Sequence, residues 1–159
     1  MSKAYIGVGG NLGDVADVIN SAFALLQKKT GINSVKLSSL YRSKPLGDVH
    51  QPQYINAVAL LDTELSPERL LALLQEIELL FGRVRTEEQW SSRTLDLDIL
   101  LYDDLEVVSE KLTIPHAGML VRDFVLQPLY EIAPNIIIAG YGPLSSALKS
   151  CENRGLEKL

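Results

Sequence analysis

With one cysteine in its 159 residues, Cys151, the chain can form neither an intrachain disulfide nor a cysteine-built metal cluster. A reducing compartment therefore fits, and the thiol is expected to be inert. No apolar run approaches the ~20 residues needed to cross a bilayer, and Met1-Ser2-Lys3-Ala4-Tyr5 leads into a strand pattern without a signal-peptide layout. A soluble, cytoplasmic protein is expected. Positive charge is in deficit, with 15 Lys and Arg against 20 Asp and Glu for a net charge of −5. General adhesion to nucleic acid or an anionic membrane is disfavoured, while a small positive pocket remains compatible with that balance. Two phosphate-binding signatures are also missing. No G-x-x-x-x-G-K-[ST] occurs, and in Gly7-Val8-Gly9-Gly10-Asn11-Leu12-Gly13 a leucine stands at the last glycine position of a dinucleotide fingerprint. A tight turn into a helix is the simpler reading of those glycines.

What is present suits one globular domain: the length is that of a single core, and 47% of residues are hydrophobic. Neither repeats nor a low-complexity linker interrupts it. Lys3 to Gly9 reads as a first strand, and Asp14 as the cap of a helix whose apolar positions Val15, Val18, Ile19, Ala22, Leu25 and Leu26 keep helical spacing up to Gly31. Val35 to Tyr41 and Tyr54 to Leu61 read as second and third strands, joined by a long connection, Arg42 to Gln53, that is a candidate mobile loop. Ser66 and Pro67 open a second helix with a Leu70, Leu73, Leu74, Ile77, Leu80, Phe81 stripe and Gly82 as its stop. Leu95 to Leu101 forms a fourth strand with a hairpin partner expected near Glu106 to Val108, and Asp123 to Ile132 a third helix. The order βαββαβ with further C-terminal elements predicts an α+β, ferredoxin-like sandwich.

Arg93-Thr94-Leu95-Asp96-Leu97-Asp98-Ile99 places two carboxylates in a strand otherwise suited to burial. Alternate residues share a face, so Asp96 and Asp98 point the same way with Cα atoms roughly 6.5 Å apart, and Leu95, Leu97 and Ile99 point the other way. Such a pair suits Mg²⁺, which takes carboxylates together with water and substrate phosphates. On spacing alone, an edge strand whose Asp residues merely face water fits slightly better. Four of the seven arginines, Arg83, Arg85, Arg93 and Arg122, lie in the surrounding stretch, where a planar, permanently charged fork suits phosphate binding.

Five segments together resemble the 6-hydroxymethyl-7,8-dihydropterin pyrophosphokinase family of folate biosynthesis. They are Tyr41-Arg42-Ser43-Lys44-Pro45-Leu46-Gly47; Gln51-Pro52-Gln53-Tyr54-Ile55-Asn56-Ala57; Glu78 with Gly82-Arg83-Val84-Arg85; Trp90 with Arg93 to Ile99; and Leu112-Thr113-Ile114-Pro115-His116 with Arg122-Asp123-Phe124. The resemblance covers nearly the whole chain and implies transfer of the β,γ-diphosphate of ATP to the pterin hydroxymethyl group, with AMP as the other product. By resemblance Asp96 and Asp98 hold two Mg²⁺ ions, and either carboxylate could help accept the hydroxyl proton. Arg83, Arg93 and Arg122 form the phosphate clamp, Arg85 lies near the nucleotide and His116 donates to a phosphate oxygen. Tyr54 and Phe124 stack on the pterin, Asn56 bonds its edge, and Ser43 and Leu46 supply backbone contacts. Gln75 and Glu78, on a helix face away from the leucine stripe, bracket adenosine or support the arginines; Ile99, Leu112 and Thr113 form the adenine pocket; Trp90 tops a closing loop.

The chain departs from the family pattern in places. Thr86-Glu87-Glu88-Gln89 lacks the basic residues frequent in that loop, Ser91 and Ser92 replace a Gly-Pro-like pair, and Ala117 follows His116 where a tyrosine can stand. A noncatalytic pterin- or nucleotide-binding module of the same fold is the alternative, distinguished by Mg²⁺-dependent AMP formation. An RNA-binding domain could share the strand order, but the expected basic rims and sheet aromatics are missing. ATP and the pterin are the expected partners, without nucleic acid or membrane, and a monomer is the family-based expectation.

Overall fold

The computed structural model describes residues 1–43, 53–82, 94–153 and 155–159. The first strand, β1 (Ser2–Gly10), precedes helix α1 (Val15–Gln27), whose first turn is capped by the Asp14 carboxylate accepting the Asp17 N–H at 3.2 Å. Its helical spacing buries Val15, Ile19, Ala22, Phe23 and Leu26. At Gly31, φ is +91° and a Cβ would meet Leu65 Cδ2 at 2.6 Å, so the turn into the next strand requires glycine twice over.

The expected strand over Val35 to Tyr41 is two strands, β2 (Ile32–Leu37) and β3 (Tyr41–Ser43), both pairing with the long β4 (Tyr54–Thr63). Ser38 makes the break. Its main-chain N–H donates to the Val58 carbonyl, while its hydroxyl, not a main-chain carbonyl, accepts the Val58 N–H, each at 2.9 Å. Helix α2 (Pro67–Leu80) starts as its Ser66-Pro67 signal predicts, with Ser66 Oγ accepting the Arg69 N–H at 3.3 Å. Strand β5 (Asp96–Tyr102) follows.

The hairpin expected after β5 is instead a separate ribbon. Strand β6 (Val107–Val108) pairs with β7 (Thr113–Ile114), because Ser109 closes the turn between them through bonds with Leu112. Helix α3 (Asp123–Ile132) has the predicted limits; β8 (Ile137–Ile138), β9 (Gly142–Pro143), α4 (Leu144–Ser150) and β10 (Glu157–Lys158) complete the described chain.

The main sheet is antiparallel in the order β10-β3-β4-β1-β5, with β2 also on β4. Placing β4 between β1 and β2, and β1 between β4 and β5, gives the split connectivity of the predicted α+β, ferredoxin-like arrangement. Both faces are covered. Ala4, Ile6, Val8, Ala57, Ala59, Leu95, Leu97 and Ile99 pack against α1 and α2, whereas Tyr5, Val58, Leu100 and Leu101 pack against α3 and α4. A bulge interrupts the alternation: Tyr5 opposes Leu101 and Ile6 opposes Ile99, so Leu100 is the extra residue and shares its face with Leu101. Among the described residues, no helix is long and apolar enough to cross a membrane.

Candidate active site on the α3 face of the sheet

Residues opposed across a ladder share a face. The register sets Tyr41 opposite Asn56, Asn56 opposite Gly9 and Gly9 opposite Asp96; in the neighbouring rows Ser43 opposes Tyr54, and Gly7 opposes both Val58 and Asp98. Val58 and Leu100 pack beneath α3 and α4, which identifies this as the α3 face. Ser43, Tyr54, Asn56, Asp96 and Asp98 therefore lie on one surface, as strand parity alone predicted for the Asp pair.

The glycines of β1 form the floor between these groups. A Cβ on Gly9 would come within 2.5 Å of Asn56 Oδ1, and one on Gly7 would stand 3.3 Å from Leu100 Cδ2. Their role is missed when the glycine run is read as a turn: Gly7, Gly9 and Gly10 lie in β1, and the turn conformation belongs to Gly13, with φ of +72°. Strand parity is the signal that could have found them, since odd positions of β1 face the Asp pair. Asn56, 7% exposed, donates from Nδ2 to Ser43 Oγ at 3.0 Å, which fixes the direction of its amide.

Among the described residues strand β5 is a sheet edge, and two of its outer backbone groups are satisfied from outside the sheet. The Leu97 N–H, between the two Asp residues, donates to Glu78 Oε2 at 2.8 Å, and the His116 N–H donates to the Leu100 carbonyl at 2.9 Å. Glu78 is only 1% exposed. The expectation that it lies on a helix face away from the core is thus corrected: it follows Ile77 into the interior because β5 needs an acceptor there. Gln75, one turn earlier, is exposed.

His116 is half-buried, and its Nδ1 accepts the Gly118 N–H at 3.1 Å, leaving Nε2 as the N–H donor of the neutral ring. Burial pushes its pKa down, the Arg122 charge lowers it further and the Asp96 carboxylate opposes both. These influences place His116 within electrostatic reach of Arg122 and Asp96. The Arg122 guanidinium carbon lies 5.9 Å from the Phe124 ring centroid and would be 3.0 Å from a Cβ at Gly118. Phe124 occupies the first turn of α3 and packs at the margin of the α3–α4 core.

Asp96 and Asp98 are each half-buried and two residues apart on one face beside side-chain-free glycines, an arrangement compatible with Mg²⁺. Among the described residues no group of three His, Cys, Asp or Glu could hold a metal ion. Two carboxylates with water and substrate phosphate oxygens meet the requirement of a hard cation without a full protein cage. Ile99 and Leu112, expected at an adenine, belong to the core on the α1–α2 side; Thr113 is half-buried on β7. Leu46, Arg83, Arg85, Trp90 and Arg93 lie outside the described residues, as do positions 44–52 of the long connection and the atypical Thr86 to Ser92 loop. Ala117 is exposed.

A model of the 7,8-dihydro-6-hydroxymethylpterin-pyrophosphokinase family matches residues 5–134. The chain is 43% identical over 159 residues to the 2-amino-4-hydroxy-6-hydroxymethyldihydropteridine pyrophosphokinase of Haemophilus influenzae, covering 100% of this chain and 99% of that one. It is 40% identical to the protein of the same name from Methylorubrum extorquens, again covering 100% and 99%. Among solved structures, the HPPK-DHPS protein of Plasmodium falciparum superimposes with a TM-score of 0.71 over 94% of this chain and 43% of that one. At 14% identity that likeness concerns the fold alone.

Proposed function

Because this chain belongs to the 7,8-dihydro-6-hydroxymethylpterin-pyrophosphokinase family, we propose that it transfers the β,γ-diphosphate of ATP to 6-hydroxymethyl-7,8-dihydropterin. The pterin hydroxyl oxygen bonds to the β-phosphorus, the bond from that phosphorus to the α,β-bridging oxygen breaks, and AMP leaves with that oxygen. One observation carries the reading: a single sheet register sets Asp96 and Asp98 on the same surface as the Ser43–Asn56 pair, with side-chain-free Gly9 between them.

Asn56, with its Nδ2 held by Ser43, presents a directed amide to the edge of a flat polar ring, and Tyr54 and Phe124 supply its stacking faces. Arg122 and the Nε2–H of His116 bind phosphate oxygens and offset developing charge, Arg83 and Arg93 join that clamp, and Arg85 acts near the nucleotide. Asp96 and Asp98 would hold two Mg²⁺ ions; either carboxylate can accept the hydroxyl proton. Mg²⁺ bound there supplies electrostatic stabilisation of the transferring group and alignment of the in-line displacement. Thr113 and Gln75 serve the adenosine side, Ile99 and Leu112 through their main chain because their side chains lie in the opposite core, Glu78 through the β5 backbone that it holds, and Leu46 and Trp90 complete the pterin side. Residues 1–159 act as one pyrophosphokinase domain, in the cytoplasm.

Incubation with ATP, Mg²⁺ and the reduced hydroxymethylpterin should give stoichiometric AMP and pterin pyrophosphate. Formation of ADP, or of no nucleotide product, would refute the reading. Asp96→Ala and Asp98→Ala should each lower turnover by at least about 10²-fold while circular dichroism stays parental, since each substitution removes charge without opening a core cavity. Near-parental turnover of either folded variant at saturating Mg²⁺ would exclude the carboxylate pair as the metal site.

A further inference from the structure

Helix α3 bears on the proposed pterin slot at both of its ends. Its first turn carries Phe124, and Glu131, about two turns later, reaches back to the sheet. Glu131 Oε2 accepts the Ser39 N–H at 2.9 Å and the Ser39 hydroxyl at 3.0 Å; Oε1 accepts the Tyr41 hydroxyl at 2.5 Å, with Lys158 Nζ 3.9 Å away. Ser39 belongs to the break between β2 and β3, and Tyr41 opens β3.

Strand β3 spans only Tyr41–Ser43, and its pairings are three positions on β4 and two on β10. So short a ribbon has little intrinsic hold on its position relative to a helix packed above it. Yet β3 supplies Ser43, whose hydroxyl accepts from Asn56 Nδ2, and Tyr41 sits directly opposite Asn56. A shift of β3 toward or away from α3 therefore changes both the direction of the Asn56 amide and the separation between Phe124 and the sheet. Glu131 ties the two together by hydrogen bonds to both Ser39 and Tyr41.

We propose that Glu131 is a positioning residue for the pterin: by clamping Ser39 and Tyr41 to α3 it sets the width of the slot and the direction of the Asn56 amide. It touches neither substrate. This inference rests on the pterin-binding reading above. The clamp acts on the pterin side and leaves the Asp pair, held at the far side of β1 by β5, in place.

The test measures KM for 6-hydroxymethyl-7,8-dihydropterin and for ATP, kcat and the melting temperature in the parent protein, Glu131→Ala, Glu131→Gln, Tyr41→Phe and the Tyr41→Phe/Glu131→Gln double variant. Glu131→Ala should raise the pterin KM by roughly tenfold, the scale of couplings within one hydrogen-bond network, with ATP KM and kcat within about twofold of the parent. Glu131→Gln keeps a single acceptor oxygen, which can serve either Tyr41 or the two donors of Ser39 but not both sides at once, and should fall between parent and Ala. The double variant should weaken pterin binding by less than the product of its two single effects. A parent protein that neither binds nor turns over the pterin would refute the underlying reading. A parent that does both, with variants of lowered melting temperature and unchanged pterin KM, would overturn the clamp alone, as would equal losses toward ATP and pterin. If Glu131→Ala does not fold, Tyr41→Phe and Glu131→Gln decide by the same criteria.

Discussion

At Gly9, the absence of one carbon atom decides whether the site can form. Its backbone is ordinary strand, so the demand for glycine is steric: a methyl group would press within 2.5 Å of Asn56 Oδ1, itself part of a side chain held by Ser43. Gly9→Ala must displace the amide or bend β1 away from β4. The expected outcome is a stability loss of about 1–3 kcal/mol, the usual cost of overpacking, together with weaker pterin binding and little change in ATP affinity. Denaturant unfolding and calorimetric titration with each ligand would test it. Equal weakening toward both ligands would mean that the floor is shared rather than confined to the pterin side.

Strand β5 carries the Asp pair, yet among the described residues one of its edges has no strand beside it. Its support comes from α2 and from the segment before α3: Glu78 accepts the Leu97 N–H, and the His116 N–H reaches the Leu100 carbonyl. Glu78→Ala would leave the Leu97 donor buried without its acceptor and should cost about 1–3 kcal/mol. Because Leu97 stands between Asp96 and Asp98, the same change should raise the Mg²⁺ concentration needed for half-maximal turnover. Both effects are checked by thermal unfolding and a Mg²⁺ titration of AMP formation. A stability loss with an unchanged Mg²⁺ profile would show that β5 keeps its line without this bond.

Over the whole molecule, the Glu131 contacts couple stability to pH at both ends. At Glu131, burial raises the carboxyl pKa, but the bonds from Tyr41 and Ser39 and the nearby Lys158 charge outweigh it, and the net direction is down from 4.5. Its contribution is therefore complete above the unfolded value and is lost as pH falls through the lowered folded value. Tyr41 behaves in the opposite sense. Burial, then the bond to Glu131 and its charge, pushes the phenol up from 10.0 to about 12, so its contribution is complete below 10.0 and is lost between there and about 12. Denaturant midpoints measured against pH should fall at both extremes. Glu131→Gln should flatten the acid limb and Tyr41→Phe the alkaline one, and unchanged limbs in both variants would contradict the assignment.

The sequence by itself determined the elements whose signals are local. Asp14 and Ser66 cap the helices that they were expected to cap, and α3 has its predicted ends, because caps and periodicity act within a few residues. Strand parity likewise sufficed to put Asp96 and Asp98 on one face. Tertiary structure decided whatever depends on a partner distant in the chain. Ser38 breaks the expected strand through Val58, Leu100 bulges against β1, Glu78 turns inward because β5 needs an acceptor, and Gly9 becomes a floor only when Asn56 and Asp96 flank it. Hydrogen-bond demand and close approach between such segments have no period in the sequence; they arise when the sheet register brings the groups together.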